Sequence, residues 1–169
     1  MIKLNIYKID SKYIKYLQQF DKSVAEPKNN RPYVGILIFS NSNFDYFAPL
    51  TSKINKSEFY CVKLFNENGE KIASVRINNM IPIPKKNTTK IAEEIKYERL
   101  LKSKNPYDIK YANLLKQEVK SLNKKTIASE ICKKAKKFYN TYKYKISIRK
   151  ICLDFNKLEQ ESLKYRFPK

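Results

Sequence analysis

From Ile2 to Ile9 the chain alternates apolar and polar side chains, Ile2-Lys3-Leu4-Asn5-Ile6-Tyr7-Lys8-Ile9, the period of a half-buried strand. Asp10 and Ser11 then supply N-cap chemistry, and Tyr13, Ile14, Tyr16, Leu17 and Phe20 recur at helical spacing, predicting a short helix over 12–22. The Pro- and Asn-rich stretch 25–32 reads as a loop. From Tyr33 to Pro84 the pattern is β. The run 33–39 returns through Phe44–Leu50 after the turn Ser40-Asn41-Ser42-Asn43, and 59–65 returns through 72–77 after Asn66-Glu67-Asn68-Gly69. Met80–Pro84 is extended, and its prolines belong on an edge or at a strand end.

Beyond Pro84 the period changes. Ile91, Ile95, Leu100 and Leu101 predict a helix over 88–104, with Glu93 and Glu94 suiting its start. Asn105-Pro106 breaks it. A second helix follows to about 122 and a third spans Ile127 to Tyr142. A last strand is expected over 145–153 and a C-terminal helix over 154–165. Strands first and helices later define one α+β domain over 1–169.

Charge narrows the function. The 36 Lys+Arg stand against 16 Asp+Glu, a net charge of +20 on 169 residues, and residues 85–150 alone carry 20 basic and 6 acidic side chains. A-T-rich coding explains Lys over Arg, but it does not explain base over acid. A concentrated cationic patch points to a polyanion, because phosphate binding releases condensed counterions. With 2 glycines, neither a dinucleotide-binding loop nor a P-loop can be written, so no nucleotide cofactor is expected. Cys61, Cys132 and Cys152 have no C-x-x-C spacing, and histidine is absent, so no metal site is expected either. No signal peptide or membrane span is read, and a cytoplasmic protein is expected.

Three segments in order carry a resemblance: Arg31-Pro32-Tyr33-Val34-Gly35-Ile36, Tyr46-Phe47-Ala48-Pro49-Leu50-Thr51-Ser52 and Asn78-Asn79-Met80-Ile81-Pro82-Ile83-Pro84. With the early Tyr13-Ile14-Lys15-Tyr16-Leu17 and the late Cys152–Glu159 segment, the chain resembles the ToxN/AbiQ family, the endoribonuclease toxins of type III toxin–antitoxin systems. The resemblance implies a strongly bent antiparallel sheet, barrel-like and related to MazF/Kid toxins, with helices packed around it. It implies metal-independent RNA cleavage and inhibition by an RNA antitoxin whose tandem repeats fold as pseudoknots. It also implies a closed ring of alternating toxin and RNA, and growth arrest that aborts phage infection.

The metal-independent cleavage that the resemblance implies uses the substrate's own 2′-hydroxyl as nucleophile, and in a chain without histidine Lys, Arg, Tyr, Ser, Thr or carboxylates handle the protons and charge. Thr51-Ser52-Lys53, just past a strand end, is the strongest cluster. Thr51 and Ser52 are expected to bind phosphate and sugar, and Lys53 or Lys56 to stabilise developing charge or transfer a proton. The family carries a lysine shortly after its Thr-Ser pair, and both Lys53 and Lys56 are compatible with it. Crowding by other cations is expected to lower such a lysine's pKa. Tyr33 either orients substrate, stacks on a base or packs in the core. Arg31, Lys85, Lys86, Lys133, Lys134, Lys136 and Lys137 are expected to meet RNA phosphates, and Tyr139, Tyr142 and Tyr144 either stack on unpaired bases or pack inside. The Asn78-Asn79 segment reads as structural. The competing readings are a non-catalytic RNA- or DNA-binding module, which leaves the Pro-Leu-Thr-Ser loop unexplained, and a peripheral membrane protein, whose exposed apolar helix face is not evident.

Overall fold

The computed structural model describes residues 3–26, 31–36, 43–52 and 57–167. In chain order the elements are β1 (Ile6–Ile9), α1 (Ser11–Gln18), β2 (Pro32–Ile36), β3 (Phe44–Thr51), β4 (Cys61–Phe65), β5 (Lys71–Arg76), β6 (Ile81–Pro84), α2 (Thr88–Ile91), β7 (Ala92–Glu94), α3 (Tyr97–Leu100), α4 (Pro106–Leu122), α5 (Lys125–Thr141), α6 (Ile146–Arg149) and α7 (Phe155–Ser162).

The local signals that predicted boundaries act through identifiable bonds. The Asp10 carboxylate accepts from the Lys12 N–H at 2.8 Å and starts α1, which buries Tyr13, Ile14 and Leu17. The β4–β5 turn is built on Asn66, whose Oδ1 accepts from the N–H groups of Asn68 and Glu70, while Gly69 takes the positive φ of 78° that closes it. Asn105 caps α4 from the Tyr107 N–H with Pro106 in its first turn.

The long strand β3 organises the sheet. One edge pairs antiparallel with β2, Tyr33 opposite Pro49 and Gly35 opposite Phe47. The other edge is divided: Phe44–Phe47 pair with β6, whereas Leu50 and Thr51 pair with Val75 and Ser74 of β5. A 3-10 turn, Ile77–Asn79, separates β5 from β6, so the two strands lie end to end along β3. The hydrogen-bonded path runs β4-β5-β3-β2-β1-β7, with β6 beside β3. β6 pairs only with β3 among the described residues, which is where Pro82 and Pro84 are tolerated. The architecture is α+β with an antiparallel sheet. The expected barrel is not closed: among the described residues β4 and β7 end the path without pairing to each other.

Two expected elements are replaced. The helix expected over 88–104 is interrupted by β7, which pairs with β1 as Tyr7–Glu94, Lys8–Glu93 and Ile9–Ala92, and Ile95 N–H extends the contact to the Ile6 carbonyl at 2.9 Å. The edge of β1 needs partners for its backbone groups, and that demand outweighs local helical periodicity. The strand expected over 145–153 is instead α6 and a following turn. Its end is tied to the 3-10 turn, Leu153 N–H to Asn78 O at 3.0 Å and Asn78 Nδ2 to Ile151 O at 2.7 Å. The structural reading of the Asn78-Asn79 segment therefore holds. The turn residues 40–42 and the end of the run 33–39 lie outside the described residues.

The helices close the core over the sheet. Leu115 and Leu122 of α4 and Ile131, Ala135 and Phe138 of α5 join Val62, Leu64 and Val75 in one continuous apolar cluster. Asn123, between α4 and α5, accepts from Leu4 N–H at 3.0 Å and donates to the carbonyls of Leu4 and Val119, both at 2.9 Å, fixing the helical hairpin to the start of β1. The C-terminal segment does similar work. Glu159 accepts from the hydroxyls of Tyr46 and Tyr139, and Phe155 packs among the rings of Tyr46, Tyr139 and Tyr142.

Candidate active site

β3 ends at Thr51, opposite Ser74, and carries the chain out of the sheet at the exposed Ser52. A cleft of about 540 Å³ opens there. Its walls are Ala25, Glu26, Arg31, Pro32, Leu50, Thr51, Ser52, Arg76, Tyr111, Leu114 and Glu118. Three elements therefore meet: the end of β3, the end of β5 with Arg76, and one face of α4 with Tyr111 and Glu118. Arg31 stands at the entry to β2 and directs Nη1 toward the Leu50 carbonyl at 3.5 Å. Arg76 donates from Nη2 to Asn79 Oδ1 at 2.7 Å, and Asn79 donates onward to the Ser23 carbonyl at 2.8 Å.

This cleft concentrates polar atoms that have no partner. Four of the eight buried side-chain polar atoms without a hydrogen bond, among the described residues, belong to its walls: Nε of Arg31, Nε of Arg76, the Tyr111 hydroxyl and Oε2 of Glu118. Folded proteins satisfy almost all such groups, so a cluster of exceptions in an open cleft makes it the candidate site for a polar ligand. Glu118 is only 5% exposed, and burial pushes its carboxyl up to about 7. Tyr111 is raised by burial and then by the nearby Glu118.

Thr51 and Ser52, expected to act at the phosphate and sugar, line one open cleft with Arg31, which was expected only to meet RNA phosphates. Lys53 and Lys56 lie outside the described residues. Tyr33 is corrected as a stacking residue. Its ring is 0% exposed and belongs to the core, so it offers no face to a base. Burial pushes its phenol up to about 12, with Arg31 and Arg76 pulling the other way, and its hydroxyl has no partner.

The remaining cations are distributed elsewhere. Lys85 and Lys86 follow β6 at the far end of β3, about 23 Å along the strand from Thr51. Both are exposed. Lys133 and Lys137 are exposed on α5 and line a separate groove of about 690 Å³ beside Phe59 and Phe138. Lys136 is exposed beside a third groove with Tyr7, Gly35 and Asp45. Lys134, expected to meet RNA phosphates, has its ammonium engaged within the fold instead. Its Nζ donates to the carbonyls of Glu58 at 2.6 Å and Cys61 at 3.0 Å and pairs with Glu130 at 3.3 Å, tying α5 to the start of β4. Tyr139 and Tyr142 pack inside, while Tyr144 is 82% exposed.

Arg76, Tyr111 and Glu118 were not singled out from the sequence. A signal for Glu118 was present: it sits among Leu115 and Leu122 on the apolar stripe of α4, where a carboxylate has no packing reason to be. Arg76 is separable from the other cations only by the fold.

With this geometry in view, the matches to known proteins are consistent from end to end. The family model "Toxin ToxN, type III toxin-antitoxin system" matches residues 5–163. The chain is 32% identical over 171 residues to Endoribonuclease ToxN of Bacillus thuringiensis subsp. kurstaki, covering 94% of this chain and 82% of that protein. A solved structure concerned with selective toxin inhibition by a non-coding RNA pseudoknot in type III systems superposes with a TM-score of 0.84 at 30% identity, over 97% of this chain and 98% of that one. AbiQ, a lactococcal anti-phage endoribonuclease, shares the fold with a TM-score of 0.79 at 22% identity, over 97% of this chain and 98% of its own. The chain belongs to the ToxN family of type III toxin–antitoxin toxins and is, with that family, an endoribonuclease. Among the described residues no helix is long and apolar enough to cross a membrane.

Proposed function

We propose that this endoribonuclease cuts RNA without a metal ion, in the cleft at the end of β3, by attack of the substrate's 2′-hydroxyl on the adjacent phosphorus. The observation that carries the reading is the meeting of Thr51 and Ser52 with Arg31 and Arg76 around unpartnered buried polar atoms. The Thr51 and Ser52 hydroxyls hydrogen-bond phosphate and sugar. The two guanidiniums hold the scissile phosphate and its developing charge, since they present fixed N–H forks suited to phosphate oxygens. Lys53 or Lys56 adds a further cation or a proton to the departing 5′-oxygen. The products are a 2′,3′-cyclic phosphate and a 5′-hydroxyl. Tyr33 has no part in the chemistry on this reading: it is buried in the core, where its phenol feels both guanidiniums.

The exposed cations outside the cleft, Lys85, Lys86, Lys133, Lys136 and Lys137, serve binding of a longer polyanion. That polyanion is an antitoxin RNA whose repeats fold as pseudoknots, and toxin and RNA close into a ring of alternating subunits. Released toxin arrests growth in the cytoplasm and aborts phage infection. The sheet divided along β3 is read as an opened relative of the MazF/Kid scaffold. Incubation with total RNA in EDTA tests the chemistry: defined new 3′ ends carrying cyclic phosphate support it, and binding without cleavage until magnesium is restored means a metal-dependent mechanism instead.

A further inference from the structure

The hydroxyl pair and the cations of the cleft account for binding the phosphate. They do not account for removing the proton from the attacking hydroxyl. A general base must be free of other hydrogen bonds, reach the cleft, and lack a proton at working pH. Arg31 and Arg76 reach the cleft but fail the last of these needs, because a guanidinium stays protonated. Tyr33 is enclosed in the core. Tyr111 lines the cleft, but burial and Glu118 hold its proton on. Glu26 is exposed at the rim. Glu118 differs from all of them: it is buried, it lines the same cleft as Ser52, and its Oε2 has no hydrogen-bond partner.

We propose that Glu118 is the proton acceptor of the cleavage step, placed by α4 in the cleft where Thr51 and Ser52 hold the substrate. This rests on the reading of that cleft as the cleavage site. The carboxylate takes the proton of the 2′-hydroxyl as the 2′-oxygen forms its bond to phosphorus. The bond from phosphorus to the 5′-oxygen breaks, and its electron pair leaves on that oxygen, which takes a proton from water. Glu118 then returns its own proton to solvent. Its buried setting pushes the carboxyl up to about 7, near the pH at which a base is most effective. The charged and titratable groups that share the cleft with it are Glu26, Arg31, Arg76 and Tyr111.

Single-turnover cleavage of an end-labelled RNA between pH 5 and pH 9 tests the assignment. The wild-type rate is expected to rise along one limb with a midpoint between about 6 and 8. Glu118→Gln is expected to lose that limb and at least about 100-fold in rate, while retaining RNA binding. Glu118→Asp is expected to recover part of the rate and to keep a limb, because it keeps the carboxylate. A Glu118→Gln enzyme that keeps the wild-type limb overturns the proposal, as does a wild-type profile without that limb, which needs no variant to fold. Ser52→Ala separates this from the reading beneath it. Full activity in Ser52→Ala rejects the cleft itself, whereas an inactive Ser52→Ala beside an unimpaired Glu118→Gln rejects only the role of Glu118.

Discussion

Arg76 and Asn79 are joined by a 2.7 Å hydrogen bond from the guanidinium Nη2 to the amide Oδ1, across the start of the 3-10 turn that separates β5 from β6. Because Asn79 also donates to the Ser23 carbonyl, the bend in the sheet and the position of Arg76 in the cleft depend on one side chain. Asn79→Ala removes both bonds. It is expected to lower unfolding stability by about 1–3 kcal/mol and to raise the KM for RNA more than it lowers kcat. Chemical denaturation and steady-state cleavage check the two halves separately.

Ser52 is exposed at the mouth of the cleft and its replacement disturbs no core packing. Ser52→Ala is expected to abolish toxicity and to cut the cleavage rate by roughly 100-fold or more. Its melting temperature and RNA affinity are expected to stay close to wild type. Induction in cells lacking the antitoxin, followed by cleavage assays on the purified variant, reads both.

The buried carboxyl has a stability consequence apart from catalysis. Glu118 in the folded chain titrates at about 7, above its ordinary 4.5. Below about pH 4.5 it is protonated in both states and folding is indifferent to it. Between about 4.5 and 7 the native state holds a proton that the unfolded state has lost, so its contribution to stability falls as pH rises, and then levels above 7. Glu118→Gln, which keeps the shape without the charge, is expected to be more stable than wild type at pH 8 by on the order of 1–3 kcal/mol. Little difference is expected at pH 4.5. Thermal melts of the two proteins at both pH values decide it; equal gains at both would mean that ionisation is not the cause.

Gly35 lies under an aromatic ring. A Cβ built there meets Cε2 of Tyr7 at 2.7 Å and Cε1 of Phe47 at 3.4 Å, and those two rings pack edge to face at 5.2 Å. Gly35→Ala must displace Tyr7 and is expected to destabilise the fold by about 1–3 kcal/mol. Cleavage at a temperature where the variant remains folded is expected to persist, because the β3 end and its cleft are untouched. Differential scanning calorimetry alongside the cleavage assay separates the two effects.

Signals that act over a few residues were legible in the chain. Asp10, the Asn66–Gly69 turn and Asn105-Pro106 each fix a boundary through bonds to their immediate neighbours, and the fold keeps all three. Signals that depend on a distant partner were not. Glu93 and Glu94 read as the acidic start of a helix, yet they form an edge strand because Tyr7 and Lys8 lie open beside them. Lys134 reads as one of the four lysines clustered at 133–137 until Glu58 and Cys61 present their carbonyls to it. The site divides in the same way. Thr51 and Ser52 were visible as a hydroxyl pair at a strand end, because strand and loop are sequence-local. Arg76 and Glu118 join them only through the β3–β5 pairing and the packing of α4.

The central claim is that the cleft at Thr51 and Ser52 breaks RNA through the substrate's own hydroxyl. The most direct measurement is cleavage of a short RNA of defined sequence in excess EDTA, beside a copy whose 2′-hydroxyls are replaced by hydrogen, with product ends read by mass spectrometry. The first is expected to be cut to a 2′,3′-cyclic phosphate and a 5′-hydroxyl and the second to stay whole. Cleavage of the 2′-deoxy copy, or a strict need for divalent metal, would contradict it.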